Sequence, residues 1–509
     1  MYLSDNMFPI YMTLVPRHLH SSDECMTAKM EELERLKKFE AYDLEPENGQ
    51  QRISTRWVLS VKDDKVKARL VARGFEEEQT IQSDSPTISK CGMRMCLMIV
   101  SHQGWTMRST DIKSAFLQSK EMTRQVYVEP PKEANNDDYV WKLKKCLYGL
   151  TDASRQFYLS VCDELFRLGV KRSSLDSSLF YMHDNKGALL GILISHIDDF
   201  LHAGTSHFEE NIIGSLRKRF LAGRQDEKNF TYVGYQLKQT ALGIELDQID
   251  YIHNIDTYMV PVGRSARRND ALNNKEKTAL RSQVGSLNWA VQGSRPDKAF
   301  EMIDLSTRFN CGTVADLSQA CKLVRNMKDE DFTIVYPNLG KPESWRFAVF
   351  SDAAFANLKD GVSSTMAYII FLVGENLRCC PLTWRAAKIR RVVRSTLAAE
   401  TLALQESVDD VLGVRDMLCE MYPMLKLPIM CKVDNQSVVD SLHSTLPVDE
   451  KSLRINIASL KQALENDIES IAWIEKKTQL ADCMTKRGSN GAGLMAILGT
   501  GILPDCYNL

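Results

Sequence analysis

The chain has 509 residues, of which 44% are hydrophobic, so it can form several globular cores and is neither disordered nor fibrous. Its 64 Lys and Arg side chains nearly balance 66 Asp and Glu side chains, giving a formal charge of −2. This balance excludes a strongly basic nucleic-acid-binding protein, and any such partner must be bound by a local positive patch. The 13 scattered cysteines are typical of reduced thiols, and no apolar run is long enough for a membrane span.

Periodicity and turn signals divide the chain into four regions. Residues 1–24 have no clear period, and we assign them no function. Residues 25–240 begin with a helical pattern and then mix helices with short strands, which predicts an α+β core. Residues 241–340 are predicted to be mostly helical and end at a cluster of Pro and Gly. Residues 341–509 alternate strands and helices and predict a second α/β domain.

A positively charged hairpin is predicted early in the second region. Residues 56–61 and 66–72 are two β-rich runs separated by a polar tetrad. Strand alternation places Lys67 and Arg69 on one face of the second run. Residues 52–73 contain seven basic and two acidic side chains, an excess that suits phosphate binding. A solvated charged face without such a role is the alternative.

Carboxylates in the first half suggest a metal site. Asp111 lies in the string STDIKSAF, and the adjacent Asp198 and Asp199 directly follow an apolar strand. Neighbouring carboxylates repel each other unless a cation neutralises them, and oxygen-rich sites favour hard ions such as Mg²⁺. An exposed turn is the alternative for the Asp pair, but its apolar flanks favour the metal site.

A second group of carboxylates lies in the last region. Asp352 and Asp434 each end a predicted strand, Glu400 lies within an amphipathic helix, and Asp482 is near the C-terminus. Strand-end carboxylates on neighbouring strands can converge on two cations that activate water. A helix-capping or surface role is the alternative for each of these residues taken alone.

Short strings recur in a fixed order from about residue 25 to about residue 488. They are RWV (56–58), KARLVARGF (67–75), TDIKSAFL (110–117), VYVEPP (126–131), LKKCLYGL (143–150), HIDD (196–199), VGSL (284–287), SRPD (294–297), FSDA (350–353), STLAAE (395–400), VDNQS (433–437) and QLADCMTK (479–486). In this order and at these separations they resemble the reverse transcriptase and ribonuclease H portion of a copia-class long-terminal-repeat retrotransposon Pol polyprotein.

The resemblance implies an α+β fold with a fingers–palm–thumb polymerase followed by an RNase H-like α/β domain. Fingers and palm would occupy residues 25–240, a thumb or connection residues 241–340, and the RNase H-like domain residues 341–509. It also implies RNA-directed DNA polymerase and ribonuclease H activities, with two Mg²⁺ or Mn²⁺ ions in each active site. The implied partners are an RNA template, a DNA or tRNA primer, RNA–DNA hybrid and dNTPs.

Site residues follow from the matching positions. By resemblance, the polymerase ions are held by Asp111, Asp198 and Asp199, and the triphosphate by Lys67 and Arg69. Phe116 matches an aromatic residue under the sugar that excludes a 2′ hydroxyl, with a core aromatic as the alternative. The resemblance assigns the nuclease ions to Asp352, Glu400, Asp434 and Asp482. Residues 384–394 hold five basic side chains and no acid, a strip that suits hybrid phosphates: Arg385, Lys388, Arg390, Arg391 and Arg394.

Two departures from the family pattern bear on activity. Relatives usually read Lys-Gln-Ala/Ser-Pro-Arg where residues 151–155 read TDASR, and Asp152 is expected to place a negative charge near the triphosphate. His196 stands where relatives commonly have Tyr. The alternatives are therefore a decayed or domesticated copy that binds RNA–DNA without polymerising, and a nuclease alone.

Other motifs of such polyproteins are missing from the sequence. We find no Cys-x₂-Cys-x₄-His-x₄-Cys knuckle, no aspartic-protease motif in a suitable context, and no integrase region. We therefore expect a processed piece of a polyprotein or a truncated genomic copy. The expected location is intracellular, in the cytoplasm or a particle, without membrane association. A nuclear location, a dimer and a polyprotein context stay open.

Overall fold

The computed structural model describes residues 13–62, 64–77, 81–136, 138–489 and 491–507. Five sheets and the helices between them give these residues an α+β architecture, as predicted. No helix within these ranges is long and apolar enough to cross a bilayer. All 13 cysteines are free thiols, and only Cys311 and Cys506 are exposed. Of the unassigned tail, residues 1–12 lie outside the described residues.

The first half forms two small sheets and one sheet of six strands. Its elements are β1 (Thr13–Leu14), α1 (Asp23–Lys38), β2 (Tyr42–Pro46), β3 (Arg52–Ile53), β4 (Thr55–Lys62), β5 (Lys65–Ala72), α2 (Lys90–Gln103), β6 (Arg108–Ile112), β7 (Tyr127–Val128), β8 (Tyr139–Leu143), α3 (Ala153–Arg167), β9 (Lys171–Arg172), β10 (Leu179–His183), β11 (Leu189–His196), β12 (Asp199–Gly204), α4 (Gly214–Arg219) and β13 (Ala222–Glu227). The predicted hairpin is confirmed as β4 and β5, and β1 pairs with β4. The other small sheet has the order β2-β8-β7-β3.

The six-stranded sheet has the order β13-β6-β12-β11-β10-β9 and is covered on both faces. Ile192 and Ile194 on β11 pack in the core that includes α2, while Leu193 between them packs with Phe157 of α3. Successive side chains of a strand point to opposite faces, so a strand covered on both sides becomes continuously apolar. This explains the apolar run that precedes the Asp pair.

Residues 229–336 combine a four-stranded sheet, of order β14-β15-β16-β17, with helices. The elements are β14 (Asn229–Tyr232), β15 (Tyr235–Thr240), β16 (Gly243–Asp247), α5 (Ile249–His253), α6 (Val262–Ser265), α7 (Asn274–Gly293), α8 (Ala299–Ser306), α9 (Val314–Lys328) and β17 (Thr333–Tyr336). The prediction that residues 241–340 are mostly helical misses β16 and β17, which pair with each other in a four-stranded sheet. Strands of four or five residues carry too few alternations to be distinguished from loop in the sequence.

The last region forms a five-stranded sheet with flanking helices. Its elements are β18 (Arg346–Ala354), β19 (Thr365–Val373), β20 (Cys379–Lys388), α10 (Thr396–Met421), β21 (Ile429–Val433), α11 (Gln436–His443), α12 (Arg454–Asn466), β22 (Ser470–Trp473) and α13 (Ala492–Thr500). The strand order is β20-β19-β18-β21-β22; β18 is antiparallel to β19 and parallel to β21. Every residue of β19 is buried, because α10 covers one face and the rest of the chain covers the other.

Arg94 joins three parts of the chain. Its side chain is buried on α2, and its guanidinium carbon lies 3.4 Å from the ring centroid of Trp384 on β20. Its Nη2 donates to the carbonyls of Gln292 and Gly293 at the end of α7, and Trp384 Nε1 donates to the Val291 carbonyl at 3.0 Å. Arg94 therefore satisfies carbonyls that a helix end leaves unpaired, although burial lowers its pKa.

Replacing Arg94 by alanine should destabilise the whole chain by about 3 kcal/mol, because two buried carbonyls lose their donor and the Trp384 face loses its cation. Urea unfolding followed by tryptophan fluorescence measures this loss. Arg325→Ala, at an exposed position of α9, is the control and should change stability by less than about 0.5 kcal/mol. Equal urea midpoints for the Arg94 variant and the wild type would contradict this role.

Candidate active sites

Three aspartates lie close together at one end of β6 and β12, two neighbouring inner strands of the six-stranded sheet. Asp111 on β6 and Asp199 on β12 are directly opposite each other in an antiparallel pair. Asp198 lies in the two-residue turn between β11 and β12, and its carbonyl accepts from the Ile112 amide at 3.0 Å. Strand register thus brings together residues that lie 87 and 88 positions apart in the chain.

The turn that carries Asp198 has an unusual backbone. Ile197 has φ 61°, a left-handed conformation that β-branched residues rarely adopt. Such strain persists only where the surrounding structure enforces it, and it is common at functional sites. Here His196 pairs with Asp199 across the turn and bridges to Thr87 on its other side. Burial lowers the pKa of His196, which favours its neutral form.

The electrostatic environment of Asp198 and Asp111 favours a bound cation. Burial and the nearby Asp111 carboxylate raise the pKa of Asp198 to about 6, and the Arg69 guanidinium opposes the shift. A divalent ion would stabilise the charged form of the carboxylates. These side chains offer oxygen ligands, which suits Mg²⁺ or Mn²⁺.

Arg69 connects the hairpin to the carboxylates. Lys67 is exposed and Arg69 half-buried on the same face of β5, as the alternation predicts. The Arg69 guanidinium lies 5.3 Å from the ring centroid of Tyr148, and that ring lies 4.9 Å from the ring of Phe116. Phe116 is half-buried and packs against two hydrophobic cores, as the core-aromatic alternative predicts, and its role beside the sugar stays a prediction. Tyr148 belongs to the string LKKCLYGL, but the sequence alone does not predict that its ring lies between Arg69 and Phe116.

Asp152 is buried and paired inside the protein, and its position near the triphosphate stays a prediction. The residue is only 3% exposed. Its Oδ1 lies 2.6 Å from Nη2 of Arg124, and its Oδ2 accepts from Gln156 at 3.2 Å. Arg124 also pairs with Glu77 at 2.9 Å. The carboxylate is therefore neutralised inside the protein by an arginine that lies 28 residues away in the chain.

The second group of carboxylates converges on the five-stranded sheet. Asp352 lies on β18, Asp434 directly follows β21, and Asp482 begins a short 3₁₀ helix. One carboxylate oxygen from each lies within 4.8 Å of the others. Glu400 on α10 lies beside them, since its Oε2 accepts from the Ala353 amide at 3.1 Å. These oxygen ligands suit a hard divalent ion.

Lys486 lies inside this acid cluster and was missed as a site residue in the sequence. Its Nζ is 3.1 Å from Oδ1 of Asp352 and also contacts Asp482. Burial raises the pKa of Asp352 to about 6 despite the Lys486 charge, and burial with the Asp352 charge raises the pKa of Glu400 well above its usual range. Although burial opposes its own charge, the Asp352 and Asp482 carboxylates raise the pKa of Lys486. One ammonium thus balances only part of the charge of four carboxylates.

The predicted basic strip is divided between ion pairs and free cations. Arg385 pairs with Glu406 at 2.7 Å, and Lys388 lies 3.6 Å from Asp360. The other three are exposed and have no carboxylate partner among the described residues: Arg390, Arg391 and Arg394. Arg391 donates to Asn456 on α12 at 3.2 Å, so the exposed Lys451 and Arg454 extend the same surface.

Comparison with known proteins gives a consistent result. Residues 39–259 match the family described as reverse transcriptase (RNA-dependent DNA polymerase). The chain is 26% identical over 463 residues to the retrovirus-related Pol polyprotein from transposon RE1 of Arabidopsis thaliana, covering 85% of this chain and 30% of that protein. It is also 25% identical over 463 residues to the Pol polyprotein from transposon RE2 of the same plant, covering 85% of this chain and 31% of that protein. The chain thus spans about 30% of the length of these relatives.

A solved structure shares the fold. A foamy viral protease-reverse transcriptase, in complex with double-stranded DNA, superposes with a TM-score of 0.56 at 14% identity. The likeness covers 89% of this chain and 70% of that chain. It extends beyond the matched family region and agrees with the predicted α+β polymerase fold, while the mixed five-stranded sheet of the last region is consistent with an RNase H-like fold. Residues 39–259 therefore match the reverse transcriptase family, and most of the chain is similar to Pol polyproteins of retrotransposons, which supports the resemblance to the copia class.

Proposed function

We propose that this chain is an RNA-directed DNA polymerase that also degrades the RNA of the hybrid it makes. The observation that carries the polymerase proposal is the register that places Asp111 opposite Asp199, with Asp198 in the adjoining turn. The nuclease proposal rests on the carboxylate oxygens of Asp352, Asp434 and Asp482, which converge within 4.8 Å. The substrates would be an RNA template, a DNA or tRNA primer and dNTPs, inside the cell.

The residues of each site have distinct tasks in this proposal. Asp111, Asp198 and Asp199 would hold the polymerase ions, and Asp352, Glu400, Asp434 and Asp482 the nuclease ions. Two Mg²⁺ ions bound at each site would activate the attacking oxygen and neutralise charge on the leaving oxygen. Arg69 and the exposed Lys67 would bind the triphosphate, while Tyr148 packs against both the Arg69 guanidinium and the Phe116 ring. Arg390, Arg391 and Arg394 would bind hybrid phosphates without reading bases.

The two activities should be separable by single substitutions. Asp198→Asn is expected to reduce primer extension on an RNA template at least 100-fold, about 3 kcal/mol of transition-state stabilisation, while hybrid cleavage persists. Asp434→Asn should have the opposite effect. Both activities are measured in one tube with a labelled DNA primer and a labelled RNA template. Asp163→Asn, at an exposed acid of α3, is the control.

The result also decides between the alternatives. Extension lost in Asp198→Asn but not in the control supports the polymerase. Cleavage without extension by the folded wild type would indicate a nuclease alone, and neither activity would indicate a copy that only binds nucleic acid.

Asp152 should act on stability rather than on nucleotide binding. In Asp152→Asn, Arg124 keeps Glu77 but loses a charged partner, so stability should fall by about 1–3 kcal/mol. The KM for dNTPs should stay within about twofold of wild type. Steady-state extension at varied dNTP concentration, with thermal melting of the same preparations, measures both quantities. A KM well below wild type would show that the carboxylate repels the triphosphate after all.

The buried carboxylates should make the metal-free chain sensitive to pH. The pKa of Asp198 is about 6 in the folded state against 3.8 for the free side chain, so the folded state binds more protons between these values. The protonated carboxyl of Asp198 therefore stabilises the folded state at low pH, and this stabilisation is lost as pH rises from about 4 to about 6. In EDTA at pH 7.5, Asp198→Asn should melt about 2 °C above wild type, and Mg²⁺ should remove the difference. Melting at or below the wild-type temperature in EDTA would contradict this prediction.

A further inference from the structure

A series of alternating charges connects the helices α8 and α9 to the five-stranded sheet. Arg308, which follows α8, contacts both Asp304 and Asp316. Lys359 Nζ, on the loop after β18, lies 3.5 Å from Oδ1 of Asp316, and Arg487 contacts Asp304. The order is therefore Lys359, Asp316, Arg308, Asp304, Arg487, with a positive charge at each end.

The ends of this series are exposed and its interior is buried. The side chains of Asp304 and Asp316 are 3% and 4% exposed, whereas those of Arg487 and Lys359 are 58% and 60% exposed. Solvent therefore meets two cations whose positions are set by buried acids. Long basic side chains lose conformational entropy when they bind a ligand, and cations already oriented by a partner lose less of it.

Hydrogen bonds fix the segments that carry the two cations to each other. The Asn357 side-chain amide donates to the Thr485 carbonyl at 2.8 Å, and the Thr365 hydroxyl donates to the same carbonyl at 2.9 Å. The Asn357 side-chain oxygen accepts from the Thr365 amide at 3.1 Å. Lys359 is two residues from Asn357, and Arg487 is two residues from Thr485, so these bonds set the spacing of the cations.

The two cations line a cleft that opens beside the acid cluster. The cleft has a volume of about 530 Å³, and its charged lining residues are Asp304, Arg308, Lys359, Lys486 and Arg487. Lys486 also contacts Asp352 at 3.1 Å, so the cleft and the carboxylates share a side chain. A strand that presents a phosphodiester to the carboxylates has neighbouring phosphates on either side, and these can reach the cleft.

We propose that Lys359 and Arg487 form a phosphate-binding subsite that holds the backbone of an RNA–DNA hybrid next to the nuclease carboxylates. The subsite reads no bases, because its ligands are backbone phosphates. Asp304 and Asp316 orient the two cations from α8 and α9, so hybrid binding by the sheet domain depends on helices that precede it in the chain. This inference rests on the proposed nuclease function.

Binding of a fluorescent RNA–DNA hybrid to the full chain tests the subsite. Asp434→Asn is the background because it prevents cleavage during the measurement. Adding Lys359→Gln and Arg487→Gln should weaken hybrid binding about tenfold at 100 mM salt and reduce the slope of log K against log salt by about 1 to 2. Lys359→Arg with Arg487→Lys keeps both charges and should restore the slope. Lys186→Gln, in an exposed turn between β10 and β11, is the matched control.

The outcomes separate this inference from the nuclease proposal. An unchanged affinity and salt slope in the double Gln variant, with the same melting temperature as its parent, would overturn the subsite alone. A folded wild-type chain that extends primers but does not cleave the RNA of the hybrid would overturn the nuclease proposal, and the subsite with it.

Discussion

Mutual repulsion among buried and half-buried carboxylates is the constraint on which both candidate sites depend. At each site the fold holds several negative charges together in partly desolvated positions, a geometry with a large electrostatic cost. β-Sheet register enforces the first cluster, since moving β6 by one residue against β12 would turn Asp111 to the opposite face. At the second cluster, Asp352 and Asp434 lie on neighbouring parallel strands and Glu400 projects from the helix packed over them. The favourable free energy of folding and packing these sheets offsets the repulsion between the carboxylates.

Packing between the two halves keeps the sites in a fixed relation. The largest hydrophobic core runs from α2 through α7 and α9 to the five-stranded sheet and the C-terminal segment. Specific polar contacts add to it, since the Ser174 hydroxyl donates to Glu420 and His183 contacts the Met421 carbonyl at 2.9 Å. Arg94 contributes at the centre of this junction, where a lone cation is tolerated because an aromatic face and two carbonyls surround it. The two carboxylate clusters are therefore held at a fixed distance from each other.

Sequence patterns predicted what depends on local periodicity. The β4–β5 hairpin, the face of Lys67 and Arg69, and the strand-end positions of Asp352 and Asp434 follow from alternation over five to eight residues. The ion pair of Asp152 with Arg124 did not follow, because its partner lies 28 residues away and the angle between the segments is set by tertiary packing. Lys486 ends the string QLADCMTK, and only the folded chain shows that its ammonium lies among the carboxylates. Pairing between distant segments is therefore what the sequence lacked.

A nearly neutral chain can bind a polyanion if some of its basic side chains stay exposed while its acidic side chains are buried or paired elsewhere. Many basic side chains are neutralised where they stand, as Arg385 is by Glu406 and Arg124 by Asp152. Others pair with acids that are themselves buried, and there the ion pair orients the cation while its outer side stays open to solvent, as at Lys359 and Arg487. Net charge controls long-range attraction, whereas contact with a phosphate depends on local, oriented cations. Binding built in this way should respond steeply to salt even though the formal charge of the whole chain is only −2.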